Sequence, residues 1–262
     1  MIVSGRHELI FMVGQPTAQT KSPGLMNGWF DRQGIDCVLV PLTLPGASLR
    51  SAVDIVRHGE NVRGAIVTLP FKSAVGQYVD DLTETSRTLN AVNVIRKTKD
   101  GQLHGDMLDG KAMLRAIQAR GLDVRSRQVF LAGCGGAGSA MAFNACAAGA
   151  CGLRLTDIDA DRAAALVAVL SARFPDCDIG VAATPGSCDI LINATPLGMR
   201  TTDPLPIALD HASPATLVVD AVTSPSSTTW ASAGQARGAT VIDGNALAGA
   251  QLPLLLEFFG FH

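Results

Sequence analysis

Short apolar runs alternate with longer segments of helical periodicity along most of the chain. The apolar runs have the length of buried strands and lie at residues 9–14, 37–42, 64–70, 128–133, 152–157, 189–195, 216–222 and 240–244. Such an alternation is typical of βαβ units, in which helices connect parallel strands. The pattern therefore predicts an α/β fold, and it excludes a helical bundle or a β-sandwich.

The series of apolar runs is interrupted once, near the middle of the chain. Residues 91–97 and 102–106 are joined by a turn containing Asp-Gly, which predicts a β-hairpin. The chain has 262 residues, more than a typical domain of about 150. We therefore expect two domains, with the last, apolar helix packing back on the first half.

Charge and composition restrict the partners of the protein. With 21 basic and 23 acidic side chains the formal charge is -2, so nothing indicates binding to nucleic acid or to an anionic membrane. No apolar run approaches the ~20 residues that span a bilayer, and the first residues lack the features of a signal peptide. We expect a cytoplasmic protein, a monomer or homodimer, that binds a small molecule.

Cysteine and histidine spacing does not indicate a metal site. The six cysteines form no CxxC pair, and the five histidines show neither HxxxH nor HxxH spacing. We expect free thiols and no bound metal.

A glycine-rich turn follows the strand at 128–133 and precedes an alanine-rich helix. It reads Gly-Cys-Gly-Gly-Ala-Gly, a GxGxxG motif in the strand–turn–helix setting that the motif requires. Glycine permits the tight turn and lets the backbone approach a pyrophosphate, while the helix N-terminus attracts its charge. The sequence predicts dinucleotide binding at Gly133, Gly135, Gly136, Ala137 and Gly138. The alternative is a fold of the same kind in which the glycines serve packing alone.

Asp157 ends the next strand, about 24 positions after the glycine turn. A carboxylate there accepts hydrogen bonds from a ribose diol and repels a 2'-phosphate, which favours NAD over NADP. Arg162 leaves the alternative open, because a guanidinium that folds back could neutralise a phosphate.

Two charged residues lie where chemistry could occur. Lys72 follows an apolar strand, where partial desolvation would favour proton transfer near neutral pH. Asp109 starts a predicted helix, where an ordinary N-terminal cap is an equally good explanation. A plain surface lysine likewise remains an alternative for Lys72.

Several motifs, taken together, resemble the shikimate/quinate dehydrogenase family. The matching stretches are TKSP (20–23), VTLPFK (67–72), AVNV (91–94), GDMLDG (105–110), GCGGAG (133–138), INATPLGM (192–199) and DGNALAGAQ (243–251). They occur in the family's order and cover nearly the whole chain. Lys72 and Asp109 coincide with the family's catalytic lysine and aspartate.

The resemblance implies a two-domain α/β fold. An N-terminal αβ substrate-binding and catalytic domain would comprise residues 1–105 plus 240–262, and a Rossmann-type parallel-sheet NAD-binding domain would comprise 106–239. It also implies interconversion of shikimate and 3-dehydroshikimate, or of quinate and 3-dehydroquinate, by hydride transfer. Lys72 would accept and return the hydroxyl proton, while Asp109 would hydrogen-bond that hydroxyl and hold the lysine.

The same resemblance implies the remaining site residues. Thr20 and Ser22 would bind the substrate carboxylate, and Thr68, Asn93 and Gln251 its hydroxyls. The additional cofactor contacts would be Ile158, Thr195, Ala221 and Gly244.

The chain departs from the family at a few positions that we expect on the rim of the substrate site. They are Thr20 for serine, Ile66 for asparagine, Met107-Leu108 for Asn-Thr, and Thr223 for tyrosine. These changes leave open a second substrate, another hydroxylated cyclohexane or cyclohexene acid such as an amino analogue. A third possibility is an inactive NAD-responsive binding protein, which the retained Lys72 and Asp109 disfavour.

Overall fold

The computed structural model describes residues 3–261 and divides into two compact units. The first unit contains the chain up to Leu108 and again from Leu252 onward, and the second unit contains Asp109–Gln251. Residues 106–108 therefore lie with the first unit and 240–251 with the second, opposite to the domain boundaries predicted for these two segments. The reason is that 240–242 form the outermost strand of the second sheet.

The first unit is a six-stranded mixed sheet with helices. Its strands are β1 (Glu8–Gly14), β2 (Cys37–Thr43), β3 (Val62–Val67), β4 (Asp81–Leu82), β5 (Val94–Lys97) and β6 (Leu103–Asp106), in the order β2-β1-β3-β5-β6-β4. Its helices are α1 (Ser22–Gln33), α2 (Leu49–His58) and α3 (Glu84–Leu89). β1 pairs in parallel with β2 and β3, and β5 pairs antiparallel with β6, so the predicted hairpin is confirmed.

Helical periodicity explains how the first sheet is covered. In α2 the buried residues Leu49, Ala52, Val53 and Val56 follow the i, i+3, i+4, i+7 spacing of a single helix face. Apolar side chains of α1 and of the C-terminal segment share a second core cluster. Arg63 donates a hydrogen bond to the Phe259 carbonyl at 2.6 Å and stabilises this docking. The predicted packing of the C-terminal end on the first half is confirmed for residues from Leu252.

The second unit contains an entirely parallel sheet. Its strands are β7 (Gln128–Ala132), β8 (Gly152–Thr156), β9 (Asp178–Val181), β10 (Ile190–Asn193), β11 (Leu217–Asp220) and β12 (Thr240–Ile242), in the order β12-β11-β10-β7-β8-β9. Its helices are α4 (Asp109–Gln118), α5 (Gly136–Ala147), α6 (Ala160–Arg173), α7 (Thr229–Ala236) and the first part of α8 (Gly244–Phe258). This is the doubly wound order of a Rossmann fold, with the change of direction between β7 and β10.

Two strands were not predicted from the sequence. β9 is an edge strand whose residues are all partly or fully exposed, so its sequence lacks a continuous apolar run. β4 has only two residues. Among residues 3–261, no helix combines the length and apolar character needed to cross a bilayer.

Candidate active site

One edge of the second sheet collects most of the residues predicted to bind a cofactor. Strands β12, β11, β10, β7 and β8 end immediately before or within two residues of Gly244, Ala221, Thr195, Gly133 and Asp157, respectively. Because all five strands run in parallel, their carboxyl ends lie at the same edge of the sheet. Ligands of open α/β sheets bind at this edge, beside the point where the strand order reverses.

The glycine turn is shaped so that side chains would obstruct it. Gly133 has a φ of 95°, which L-residues other than glycine rarely adopt. A Cβ on Gly138 would overlap the Gly133 carbonyl oxygen, so α5 can start here only with glycine. A Cβ on Gly135, in contrast, would meet no atom within 4 Å. The turn is therefore closed toward the sheet and bare at Gly135, where a phosphate could approach the backbone.

Asp157 fastens the glycine turn to the end of β8. Its carboxylate accepts hydrogen bonds from the Cys134 N–H at 2.6 Å and from the Asp159 N–H at 2.9 Å. Arg162 folds back, with 3.3 Å from its Nη1 to Asp157 Oδ1 and 3.0 Å from its Nη2 to Asp159 Oδ2. Arg162, which the sequence analysis left as a possible partner of a 2'-phosphate, thus lies beside the Asp157 carboxylate and is paired with two acidic side chains.

The edge of the second sheet fits a dinucleotide. The first N–H groups of α5 have no partner within the helix and are available to phosphate oxygens. Burial raises the pKa of the Cys134 thiol to about 12, with a smaller contribution from the negative Asp157, so this side chain adds no charge near a pyrophosphate. Ile158 is fully exposed next to Asp157 and offers an apolar surface.

A buried polar network joins the ends of β10 and β11, and the sequence analysis missed it. Asn193 and Asp220 are paired in register, and both are almost completely buried. The Asn193 amide donates to Asp220 Oδ1 at 2.9 Å, and the Thr228 hydroxyl donates to Oδ2 at 2.5 Å. Burial raises the pKa of Asp220, although these hydrogen bonds partly oppose the shift. The polar residues that end the apolar runs ILIN (190–193) and LVVD (217–220) were the available signal.

In the first unit, Lys72 lies in a turn that follows β3. The Thr68 N–H donates to Val13 O at 2.8 Å, and the Phe71 N–H donates to Thr68 O at 3.0 Å, which closes the turn. The Lys72 carbonyl accepts from the Val92 N–H at 2.8 Å. The matched stretches VTLPFK and AVNV are therefore held together through their backbones, and Lys72 is partly exposed.

Asn93 is buried immediately before β5. Its Oδ1 accepts from the Leu108 N–H at 2.8 Å, and its own N–H donates to Asp106 O at 3.0 Å. Asn93 thus fixes the segment that leads to Asp109, in addition to its predicted role at a substrate hydroxyl.

Thr20 and Ser22 lie around the start of α1. The Thr20 hydroxyl donates to Thr17 O at 2.7 Å, and Ser22 is the first residue of the helix and is buried. The Thr17 hydroxyl is 2.6 Å from that of Thr43 at the end of β2. The two predicted carboxylate ligands thus belong to one compact turn within the first unit.

Three of the departures from the family pattern do not lie on an accessible rim. Ile66 is 3% exposed, Met107 0% and Leu108 3%. Ile66 and Leu108 belong to the same core cluster, with Met12 and Phe30. The prediction that these residues line the rim of the substrate site was wrong. At each of these positions an apolar side chain stands where the family has a polar one, and it is buried in the core. Thr20 and Thr223 are partly exposed.

Asp109 and Gln251, which lie far apart in the sequence, meet within the second unit. Asp109 begins α4, and Gln251 lies in α8. The Gln251 amide donates a hydrogen bond to Asp109 Oδ1 at 2.8 Å. The next residue, Gly110, packs against α5 so closely that a Cβ would overlap the Ala140 carbonyl. Both neighbours limit where the Asp109 carboxylate can be.

Comparison with known proteins identifies the family of this chain. Residues 12–95 match the family model described as the shikimate dehydrogenase substrate binding domain. A shikimate dehydrogenase (NADP(+)) from Rubrobacter xylanophilus is 35% identical over 247 residues, which cover 92% of this chain and 87% of the relative. The chain belongs to the shikimate dehydrogenase family. The predicted family and the prediction of an oxidoreductase acting on CH–OH groups are thereby confirmed.

Solved structures of the family share the fold. Shikimate 5-dehydrogenase from Listeria monocytogenes, in complex with shikimate and NAD, superimposes with a TM-score of 0.87 at 24% identity, covering 98% of this chain and 93% of that one. A 5-ketofructose reductase from Gluconobacter gives a TM-score of 0.88 at 25% identity, covering 98% and 94%. The predicted two-domain α/β fold with a Rossmann-type unit is confirmed.

The names of the relatives include two nicotinamide dinucleotides. The Rubrobacter relative is named for NADP(+), whereas the Listeria structure holds NAD. The name of that relative speaks against the predicted preference for NAD.

Proposed function

We propose that the protein interconverts shikimate and 3-dehydroshikimate, and accepts quinate, with a nicotinamide dinucleotide as the redox partner. The observation that carries this proposal is the hydrogen bond between Asp109 and Gln251. Motif matching assigns Asp109 to the reacting hydroxyl and Gln251 to another hydroxyl of the substrate. The two side chains are in direct contact although a large part of the chain separates them.

The proposed mechanism uses one base and one orienting carboxylate. Lys72 takes the proton of the ring hydroxyl during oxidation and returns it during reduction. Asp109 hydrogen-bonds the same hydroxyl before the transfer and holds the lysine that has taken the proton. A nicotinamide held beside the glycine turn and the ends of β10 and β11 would supply the acceptor for the hydride of the substrate carbon. Gln251 holds Asp109 and reaches a second hydroxyl with its remaining hydrogen-bonding capacity. Thr20 and Ser22 bind the carboxylate, and Thr68 and Asn93 bind further hydroxyls.

The decisive experiment measures NADH formation at 340 nm with shikimate, with quinate and with related acids. Wild-type protein should show saturable activity, and Lys72→Ala should lower kcat by about 10²–10⁴-fold. Lys111→Ala, an equal change on α4, serves as the control and should retain activity. An inactive wild type that still binds NADH would instead support an NAD-responsive binding protein.

We propose NAD as the preferred cofactor, on electrostatic grounds. Around the end of β8, the Arg162 guanidinium is already paired with the carboxylates of Asp157 and Asp159, and Asp161 adds a further negative charge in the first turn of α6. The local charge therefore remains negative, and a 2'-phosphate would have to displace Arg162 from both partners. Asp157→Asn should raise kcat/KM for NADP relative to NAD about tenfold. A higher kcat/KM for NADP in the wild type would contradict this proposal.

A second candidate substrate is another hydroxylated cyclohexane or cyclohexene acid. Thr223 in place of the family's tyrosine removes a phenol that would reach the carboxylate. The neighbour named for 5-ketofructose shows that this fold also serves a different polyhydroxylated molecule. A substrate panel decides, because this candidate predicts activity with another acid at a KM well below that for shikimate.

A further inference from the structure

We propose that Asp220 is a positioning residue for the nicotinamide half of the cofactor, although its carboxylate is buried below the edge of the sheet. This inference rests on the proposed function, since it presupposes that a dinucleotide binds there. Asp220 is the last residue of β11 and is 1% exposed.

The two neighbouring strands end in the same way. The Asn193 side chain accepts from the Thr195 N–H at 3.0 Å, and the Asp220 side chain accepts from the Val222 N–H at 3.1 Å. Each is an Asx turn, in which a side chain holds the backbone two residues further on. These turns set the direction of the loops that carry Thr195 and Ala221, the predicted cofactor contacts.

Asp220 joins the two turns into one unit. Asn193 donates from one amide nitrogen to Asp220 Oδ1 at 2.9 Å and to Leu197 O at 3.0 Å. The Thr195 hydroxyl donates to Asn193 Oδ1 at 2.6 Å and accepts from the Leu197 N–H at 3.1 Å. The carboxylate thereby fixes the amide orientation of Asn193, and Asn193 in turn orients the Thr195 hydroxyl.

If Asp220 only stabilised the fold, fewer hydrogen bonds to its carboxylate would be sufficient. The other carboxylate oxygen binds the hydroxyl of Thr228, which caps α7 by accepting from the Ala231 N–H at 3.0 Å. Holding this cap alone requires one oxygen and could be achieved by a neutral residue. Burying a carboxylate that forms no ion pair with any of residues 3–261 is costly. Its additional contacts with the two loops therefore indicate a functional reason.

The strand order decides which half of the cofactor depends on this network. Asp157, predicted to bind the adenosine ribose, lies on the β8 side of the switch point, and β10 and β11 lie on the other side. A dinucleotide extends across the switch point. Loss of the network should therefore weaken contacts to the nicotinamide half and leave the adenosine half unaffected.

The test compares NADH with ADP-ribose, which lacks the nicotinamide. In Asp220→Ala we expect the Kd for NADH to rise about tenfold and the Kd for ADP-ribose to change less than twofold, by fluorescence and calorimetry. Asp220→Asn keeps an acceptor oxygen and should recover most of the NADH affinity. Asp210→Ala, an exposed aspartate, is the matched control.

A second pair of variants guards against misfolding of Asp220→Ala. Asn193→Asp opposes two carboxylates and should weaken NADH binding, and adding Asp220→Asn should restore it at least partly. Equal losses for NADH and ADP-ribose, or an NADH affinity within twofold of wild type in Asp220→Ala, would overturn the inference. A wild type that binds neither NADH nor NADPH would refute the proposed function instead.

Discussion

The second unit carries its predicted cofactor-binding residues at or just after the ends of parallel strands, whereas the first unit carries its predicted catalytic and substrate-binding residues mostly in turns. At the ends of β7, β8, β10 and β11, position follows from strand order, so motif and geometry agree. In the first unit, Lys72 and Asn93 lie outside the strands, and their positions depend on individual hydrogen bonds such as Val92 N–H to Lys72 O and Asn93 N–H to Asp106 O. In regular βα units, the strand order alone places a motif residue in the site. In turns, the position of a residue depends on its contacts with other segments, which the sequence does not show.

The largest effect should come from the pair that the second unit brings together. Asp109→Asn should lower kcat about 10²-fold or more, because the orienting carboxylate is lost at the reacting hydroxyl. Gln251→Ala should have a smaller effect. Since the two side chains are hydrogen-bonded, the double variant should lose less than the product of the single losses. Multiplicative losses in steady-state kinetics would show that the contact is not used in the reaction.

The departures in the first unit provide the next test. Ile66→Asn restores the family's residue in a core position that is 3% exposed. We expect unfolding to become easier by about 2–4 kcal/mol, because an amide replaces packed methyl groups. Ile66→Val, the control, should cost about 0.5–1.5 kcal/mol in urea denaturation. A lower KM for shikimate in Ile66→Asn would place this residue in the site and contradict its assignment to the core.

These cases show what the sequence could and could not predict. Strand–helix alternation was sufficient for every strand of the Rossmann-type unit except β9, because the central strands β7, β10 and β11 are buried on both faces of a parallel sheet. Motif matching could not distinguish a rim from a core position at Ile66 or Met107, since burial depends on contacts between distant segments. The Asn193–Asp220 network was missed for the same reason. The sequence shows that each polar residue ends an apolar strand, but it does not show which residue of the neighbouring strand lies beside it.

Substitution of one glycine in each unit tests whether stability and cofactor binding change independently. A Cβ on Gly64 would overlap the Ile95 carbonyl in the first unit, and a Cβ on Gly138 would overlap the Gly133 carbonyl in the second. Each alanine variant should lose about 1–3 kcal/mol of stability, but only Gly138→Ala should weaken NADH binding. Gly249→Ala meets no atom within 4 Å in α8 and should stabilise the protein by up to about 1 kcal/mol. Weakened NADH binding in Gly64→Ala would remove the distinction between the units.

The smallest effect concerns the pH dependence of stability in the second unit. Burial raises the pKa of Asp220 in the folded state, so the folded protein keeps this proton to a higher pH than the unfolded chain. The stabilising contribution is complete below the ordinary aspartate pKa of about 3.9 and is lost as pH rises through the folded-state pKa. Relative to Asp220→Asn, the wild-type free energy of unfolding should fall above pH ~4, by at most about 1.4 kcal/mol per pH unit.

Urea denaturation between pH 4 and 8 measures this slope, and Asp178 provides a control of opposite sign. A hydrogen bond from Arg154 lowers the pKa of the exposed Asp178, so its contribution is present above the ordinary value and is lost only at lower pH. Relative to Asp178→Asn, the wild-type stability should therefore stay level across this range. A level difference for Asp220 as well would mean that the three donated hydrogen bonds cancel the cost of burial, and the network would then hold its carboxylate without a pH-dependent penalty.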